Sequence, residues 1–144
     1  MCGTTLAGGG RFSHKRCHVA SDAMLIAAFY ALGAAVLLGS VLAVWNLRPR
    51  IAPPPWPLAA LHALVAIGGL LCLAFTLRGP PRGLDQGTAA FGIISAVLIA
   101  LAALLGGGML MGRLCKRRPA STLIGIHAML AISGFVILIA YVLA

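Results

Sequence analysis

The sequence predicts an all-α integral membrane protein, a bundle of four spanning helices. Three observations carry this: 61% of the 144 residues are hydrophobic and only 9% charged, the mean hydropathy is +1.05, and the apolar residues fall into four long blocks. A soluble domain carries about 45–50% apolar and about 25% charged residues, so a water-soluble globule, a disordered tail and a disulfide-rich secreted scaffold are all excluded. The eighteen glycines follow no G-X-Y period, which excludes collagen.

The first block, about 23–47, follows a basic leading segment over residues 1–20 that reads as irregular. The block is longer than the roughly 7–15 apolar residues of a signal peptide and precedes no small-residue cleavage site, so it is expected to remain as a first span. The second block covers about 58–77, the third 88–112 and the fourth 123–144. Each meets the ~20 residues needed to cross a ~30 Å hydrocarbon core. Inside lipid every backbone amide must be satisfied within its own segment, so these blocks become helices despite their valine and isoleucine. Residues 21–144 thus form one four-span domain. Ser21, Asp22, Ser121 and Thr122 sit where capping side chains are expected. The joins are short: a proline-rich one from Arg48 to Pro57, a Gly-Pro turn after Arg78, and a basic one from Arg113 to Pro119.

The net charge of +9 and pI near 10.8 come from the leading segment and the loops. This fits membrane topology and anionic lipid headgroups rather than nucleic acid. With four spans, Arg11, Lys15, Arg16, Arg78 and Arg82 share one side, while Arg48, Arg50, Arg113, Lys116, Arg117 and Arg118 share the other, a division too even to set the orientation.

Shifting the chain by 65 residues lays Leu58, His62, Ala63, Ala66, Ile67, Gly69 and Leu73 on Leu123, His127, Ala128, Ala131, Ile132, Gly134 and Leu138. The same shift pairs Arg48 with Arg113, Ala31 with Ala96 and Ala35 with Ala100. Each copy holds two spans, so the expectation is a parallel duplication of a two-helix unit. Small residues recur every fourth position along the first span (Ala27, Ala31, Ala35, Gly39, Ala43) and the third (Gly92, Ala96, Ala100, Gly108, Gly112), a pattern that lets helices approach closely.

His62 and His127 are the strongly ionisable residues within the spans, each about five residues into its helix, at equal depth. Such residues face a bundle interior and often mark function. Three roles suit them: axial ligation of a haem b iron, a hydrogen bond between helices, or contact with a quinone or other small ligand. For haem, Ala66, Gly69, Ala131 and Gly134 on the histidine faces would clear space for the macrocycle, and Arg48 and Arg113 would pair with its propionates. Transport is disfavoured because these blocks contain no Asp or Glu. The four cysteines form neither CxxC nor CxxCH, and His14 and His18 lack further ligands. No Ser-His-Asp order or P-loop is evident. Trp45 and Trp56 suit an interfacial belt.

The segments His62-Ala-Leu-Val-Ala-Ile-Gly-Gly69 and His127-Ala-Met-Leu-Ala-Ile-Ser-Gly134 resemble the haem-ligand helices of bacterial membrane b-type cytochromes and of the four-helix halves of haem A synthase. The resemblance covers the second and fourth spans. It implies that His62 and His127 are axial ligands in a bacterial cytoplasmic membrane. Relatives that hold two haems have four such histidines, whereas two lie in spans here. Haem A synthase has eight spans and an acidic residue near its outer histidine that this chain lacks. The sequence therefore points to a small b-type cytochrome or haem-bearing membrane subunit relaying electrons, with a membrane redox complex, a quinone or further copies of itself as partners, rather than to a catalyst. The alternative is a cofactor-free structural, accessory or assembly subunit of a membrane complex.

Overall fold

Four helices make up the fold: α1 (Gly10–Asn46), α2 (Trp56–Thr76), α3 (Ala89–Leu114) and α4 (Ser121–Leu143). The computed structural model describes residues 10–46, 48, 55–79, 89–115 and 119–143. Four stretches, Ser21–Asn46, Trp56–Thr76, Ala90–Leu114 and Ser121–Leu143, are long and apolar enough to cross a membrane, making the chain a multi-pass integral membrane protein. Their outer faces carry large apolar side chains such as Leu37, Leu64, Leu104 and Met129, each about 70% exposed and suited to lipid.

Local chemistry sets the ends. Pro55 caps α2 with no side-chain hydrogen bond, and Pro57 sits in the first turn, where its missing N–H costs nothing. The segment expected to be irregular over residues 1–20 is helical from Gly10 onward. With no proline between Gly10 and Asn46, a helix nucleated by the apolar span propagates back through the basic residues. Ser21 and Asp22 consequently lie inside α1 rather than capping it. Residues 1–9 lie outside the described structure.

The helices follow one another around a square. The hairpins α1–α2 and α3–α4 pack extensively, α1 with α4 and α2 with α3 more sparingly, and the backbones of the diagonal pairs do not approach. Gly69 brings α2 against Leu32 and Ala31 of α1, and Gly134 brings α4 against Ile99 and Leu98 of α3. A stacked pair, Phe29 and Phe135 with centroids 5.5 Å apart, joins α1 to α4. Phe135 also rests on Gly33.

The bundle is solid in one half. Leu25, Ala28, Leu32, Leu73, Ile99, Leu138 and Tyr141 form a continuous buried core toward the start of α1 and the end of α2. The two hairpins fill this half with complementary volumes. Tyr141 and Gly92 pack together in one, where the corresponding residues of the other are Thr76 and Leu25. The other half of the bundle contains a cavity.

The internal repeat has two offsets rather than one. Between α2 and α4 the 65-residue shift holds: Gly69 and Gly134, Leu73 and Leu138, and Thr76 and Tyr141 are buried pairwise. Between α1 and α3 the offset is 67, because His62 contacts a residue 27 positions back and His127 one only 25 back. The stretch from Ala102 to His127 is therefore two residues shorter than that from Ala35 to His62. Ala35 corresponds to Ala102 rather than Ala100, Ala31 to Leu98 rather than Ala96, and Arg113 to Asn46 rather than Arg48. The small-residue stripe of α3 shifts with it. Its inward face runs through Gly92, Ser95, Ile99, Ala102 and Gly106, while a Cβ added at Gly108 or Gly112 would meet nothing within 4 Å.

Candidate functional site

The site is built twice, once in each hairpin. His62 and His127 each lie six residues into their helices, ~9 Å along the axis. Each ring turns toward the preceding helix. His62 Nδ1 lies 2.9 Å from the carbonyl oxygen of Ala35, and His127 Nδ1 lies 2.8 Å from that of Ala102. A carbonyl oxygen only accepts, so each Nδ1 carries the proton and donates it. The lone pair of the neutral ring is thereby assigned to Nε2.

These carbonyls lie within helices and already serve the helical ladder. A second donor reaches them because the residue four positions on is glycine in both cases, Gly39 and Gly106. A helical side chain covers the turn N-terminal to itself, so any larger residue there would screen the carbonyl. A Cβ at Gly39 would stand 3.0 Å from His62 Cε1, and one at Gly106 would stand 3.0 Å from His127 Cε1. Each hairpin thus holds an imidazole with one carbonyl and one glycine seat. Sequence reasoning placed Gly39 in a packing stripe and gave neither Gly106 nor Ala102 a part in the site. The signal was present as Ala-x-x-x-Gly at 35–39 and 102–106, concealed by the second offset.

Between the two seats lies a cavity of about 500 Å³, within the range of small-molecule and cofactor sites. Both histidines line it, with Ala66 and Ala131 beside them as the histidine-face spacing predicts. Gly69 and Gly134 do not. They serve the helix crossings described above, because their Cβ positions point at the neighbouring helix. Of the two arginines, Arg113 lines the cavity and Arg48 stands beyond the end of α1 outside it. The lining is otherwise apolar, apart from Ser40 and Asn46.

The ring centroids of His62 and His127 are 6.1 Å apart and their planes meet at 77°. A metal–imidazole bond of about 2.0–2.1 Å and about 1.1 Å from nitrogen to ring centre put two imidazoles on opposite sides of one metal at a centroid distance of about 6.2–6.4 Å. A direct in-line N–H···N hydrogen bond of about 2.9 Å would instead bring the centroids to roughly 5 Å. The observed separation is compatible with two ligands sharing a metal, and equally with an edge-to-face contact between the two rings, whose centroids stand about 4.5–7 Å apart. Among the described residues no group of three or more His, Cys, Asp or Glu could hold a bare ion. Two imidazoles suffice only for a metal that brings its remaining ligands with it, as a haem iron does. The donor set, the fixed tautomers and the apolar cavity all fit that group. A metal-ligating histidine that donates its other N–H to a backbone carbonyl is also the usual second-shell arrangement.

No protein-family model, curated protein or solved structure matches the chain.

Proposed function

We propose that this chain is a small membrane cytochrome of the b type, holding one haem between His62 and His127 and passing electrons to or from a partner in the membrane. The observation that carries the reading is the pairing of two carbonyl-anchored imidazoles 6.1 Å apart across a cavity of about 500 Å³. When bound, haem supplies reversible one-electron chemistry, with a potential set by its axial ligands, burial and nearby charge.

The protein's own residues have defined tasks. Ala35 and Ala102 fix the tautomers, so that both Nε2 lone pairs are available without a rearrangement. Gly39 and Gly106 set the ring positions. Ala66 and Ala131 keep the walls low beside the histidines, and the apolar lining excludes water. The cavity lies toward the end of the bundle where α1 and α3 finish, so electrons would exchange there with a redox complex or a quinone.

The test is an absorption spectrum of the purified protein from haem-replete cells. A Soret band with sharp α and β bands on reduction is expected. Loss of the low-spin spectrum is expected in both His62→Ala and His127→Ala. A folded, colourless protein that also takes up no added haem would sink the proposal and leave a cofactor-free accessory subunit.

A further inference from the structure

The two hairpins meet along two seams, α1 against α4 and α2 against α3, and both pack sparingly. Residues that line the cavity are also exposed at each seam, Ser40 and Ile132 at the first, Gly107 and Ile67 at the second. The offsets that relate the hairpins make the seams equivalent, so they can be compared position by position. Phe29, Gly33, Val36 and Ser40 recur at helical spacing and form the α1 side of the first seam. Phe29 stacks on Phe135 of α4, and Phe135 also covers Gly33. Val36 and Ile124 continue this apolar wall along the cavity. In the second seam the corresponding residues of α3 are Ala96, Ala100, Ala103 and Gly107, and α2 has Leu70 and Ala59 where α4 has Phe135 and Ile124. The second seam is larger only at Ala100, by one methyl, and at Leu110 in place of Ala43, a turn nearer the end of α3. A Cβ added at Gly107 would meet nothing within 4 Å, although this glycine lines the cavity.

Resting on the haem reading, we propose that the cavity is filled sideways from the bilayer, through the seam between α2 and α3, by a planar ligand dissolved in the lipid. Gly107 and Ala103 set the width of that passage, and the stacked Phe29 and Phe135 keep the opposite seam shut. Small side chains give α2 and α3 little dispersion contact to lose, so this seam parts more readily than the other. The buried core that includes Leu73 and Leu138 holds the hairpins together at the far end meanwhile. A ligand on this route passes from hydrocarbon into an apolar cavity. It need not cross the end of the cavity where Asn46 and Arg113 would have to exchange their polar partners to let an apolar face through.

The experiment follows uptake of protohaem by the full-length apoprotein in phospholipid vesicles, read as growth of the low-spin Soret band. In the first arm protohaem is loaded into the same bilayer as the wild-type protein, with and without a soluble haem-binding protein in the water as a trap. The initial rate should be the same in both. A rate that collapses when the trap is present means entry from water and overturns the inference, and this arm needs no variant to fold. The second arm compares one substitution at equivalent positions of the two seams. Gly107→Leu should slow uptake roughly tenfold or more, the scale of crowding in a close passage, and Ser40→Leu much less. Equal slowing by both, or slowing by neither, overturns the inference. Rates are compared among variants that reach the wild-type final spectrum, and Ala103→Leu, a turn away in the same seam, replaces Gly107→Leu if that variant does not. Uptake that is indifferent to the seam leaves the histidine ligation standing. If no haem is taken up at all, the haem reading falls and this inference falls with it.

Discussion

His62 on α2 and His127 on α4 bring their rings to 6.1 Å between centroids, at 77° to each other, from helices on opposite corners of the bundle. The angle is imposed separately by each hairpin, since each ring is fixed by a carbonyl and a glycine of its own preceding helix. If haem is held as proposed, nearly perpendicular imidazoles would donate to different d orbitals of its iron and leave those orbitals close in energy. The oxidised protein should therefore give a strongly anisotropic low-spin electron paramagnetic resonance signal dominated by one large g value. Three well-resolved g values, the pattern of parallel rings, would show that the seats do not hold the rings as described.

The glycine seats predict a contrast between neighbouring positions. In Gly39→Ala or Gly106→Ala the new methyl stands 3.0 Å from a ring carbon, so the imidazole must shift by a few tenths of an ångström. Haem retention should fall several-fold, and crowding should cost about 1–3 kcal/mol. Gly108→Ala, two residues from Gly106 and outside the cavity lining, meets nothing within 4 Å and should leave the spectrum unchanged. Equal effects from Gly106→Ala and Gly108→Ala would contradict a seating role. Detergent-solubilised protein, scored by haem content and thermal midpoint, gives both readouts.

Gly69 and Gly134 should behave differently again. A Cβ at Gly69 would lie 2.8 Å from Leu32 Cγ, and one at Gly134 would lie 2.7 Å from Ile99 Cγ1. Either alanine must push a helix pair apart or force a neighbouring leucine or isoleucine off its rotamer, at about 1–3 kcal/mol. Thermal unfolding should register that loss in the apoprotein as well as the loaded protein, because the contact belongs to the fold and not to the cavity. An effect confined to the loaded protein would place these glycines in the ligand site after all.

The four spans were legible in the sequence because lipid leaves the backbone only one hydrogen-bonding solution, and the blocks differ from the observed helices by about two residues at most ends. His62 and His127 were legible for a related reason: an imidazole at that depth needs a partner. Their carbonyl acceptors were not. A comparison without gaps finds the dominant match, His-Ala-x-x-Ala-Ile-x-Gly at offset 65, and imposes that offset on α1 and α3. Two residues fewer between the carbonyl and the histidine of the second hairpin place α3 two residues, about 200° around its axis, from that register. Arg48 thereby acquired a false partner in Arg113, Asn46 was overlooked, and Gly106 was hidden within a run of three glycines. Loop length does not show in hydropathy, and the facing of one helix against another depends on it.

The broken symmetry at Ser95 allows a last test. Its hydroxyl donates to the carbonyl oxygen of Gly134 at 2.8 Å and is fully buried, whereas the corresponding residue in the first hairpin, Ala28, is equally buried and has no such group. The first hairpin packs without that bond, so Ser95→Ala creates a local arrangement the molecule already contains once. Interhelical side-chain hydrogen bonds in membranes average about 0.6 kcal/mol and reach about 1.7. The bond at Ser95 should fall near the lower value, because alanine leaves the Gly134 carbonyl its ordinary helical partner and almost no void. The expected result is a small drop in thermal midpoint with an unchanged haem spectrum. The reverse substitution, Ala28→Ser, should be tolerated if the two hairpins are equivalent at this level, since the new hydroxyl would find the carbonyl of Gly69 as its acceptor. A loss of several kcal/mol in Ala28→Ser would mean that the equivalence ends at the backbone.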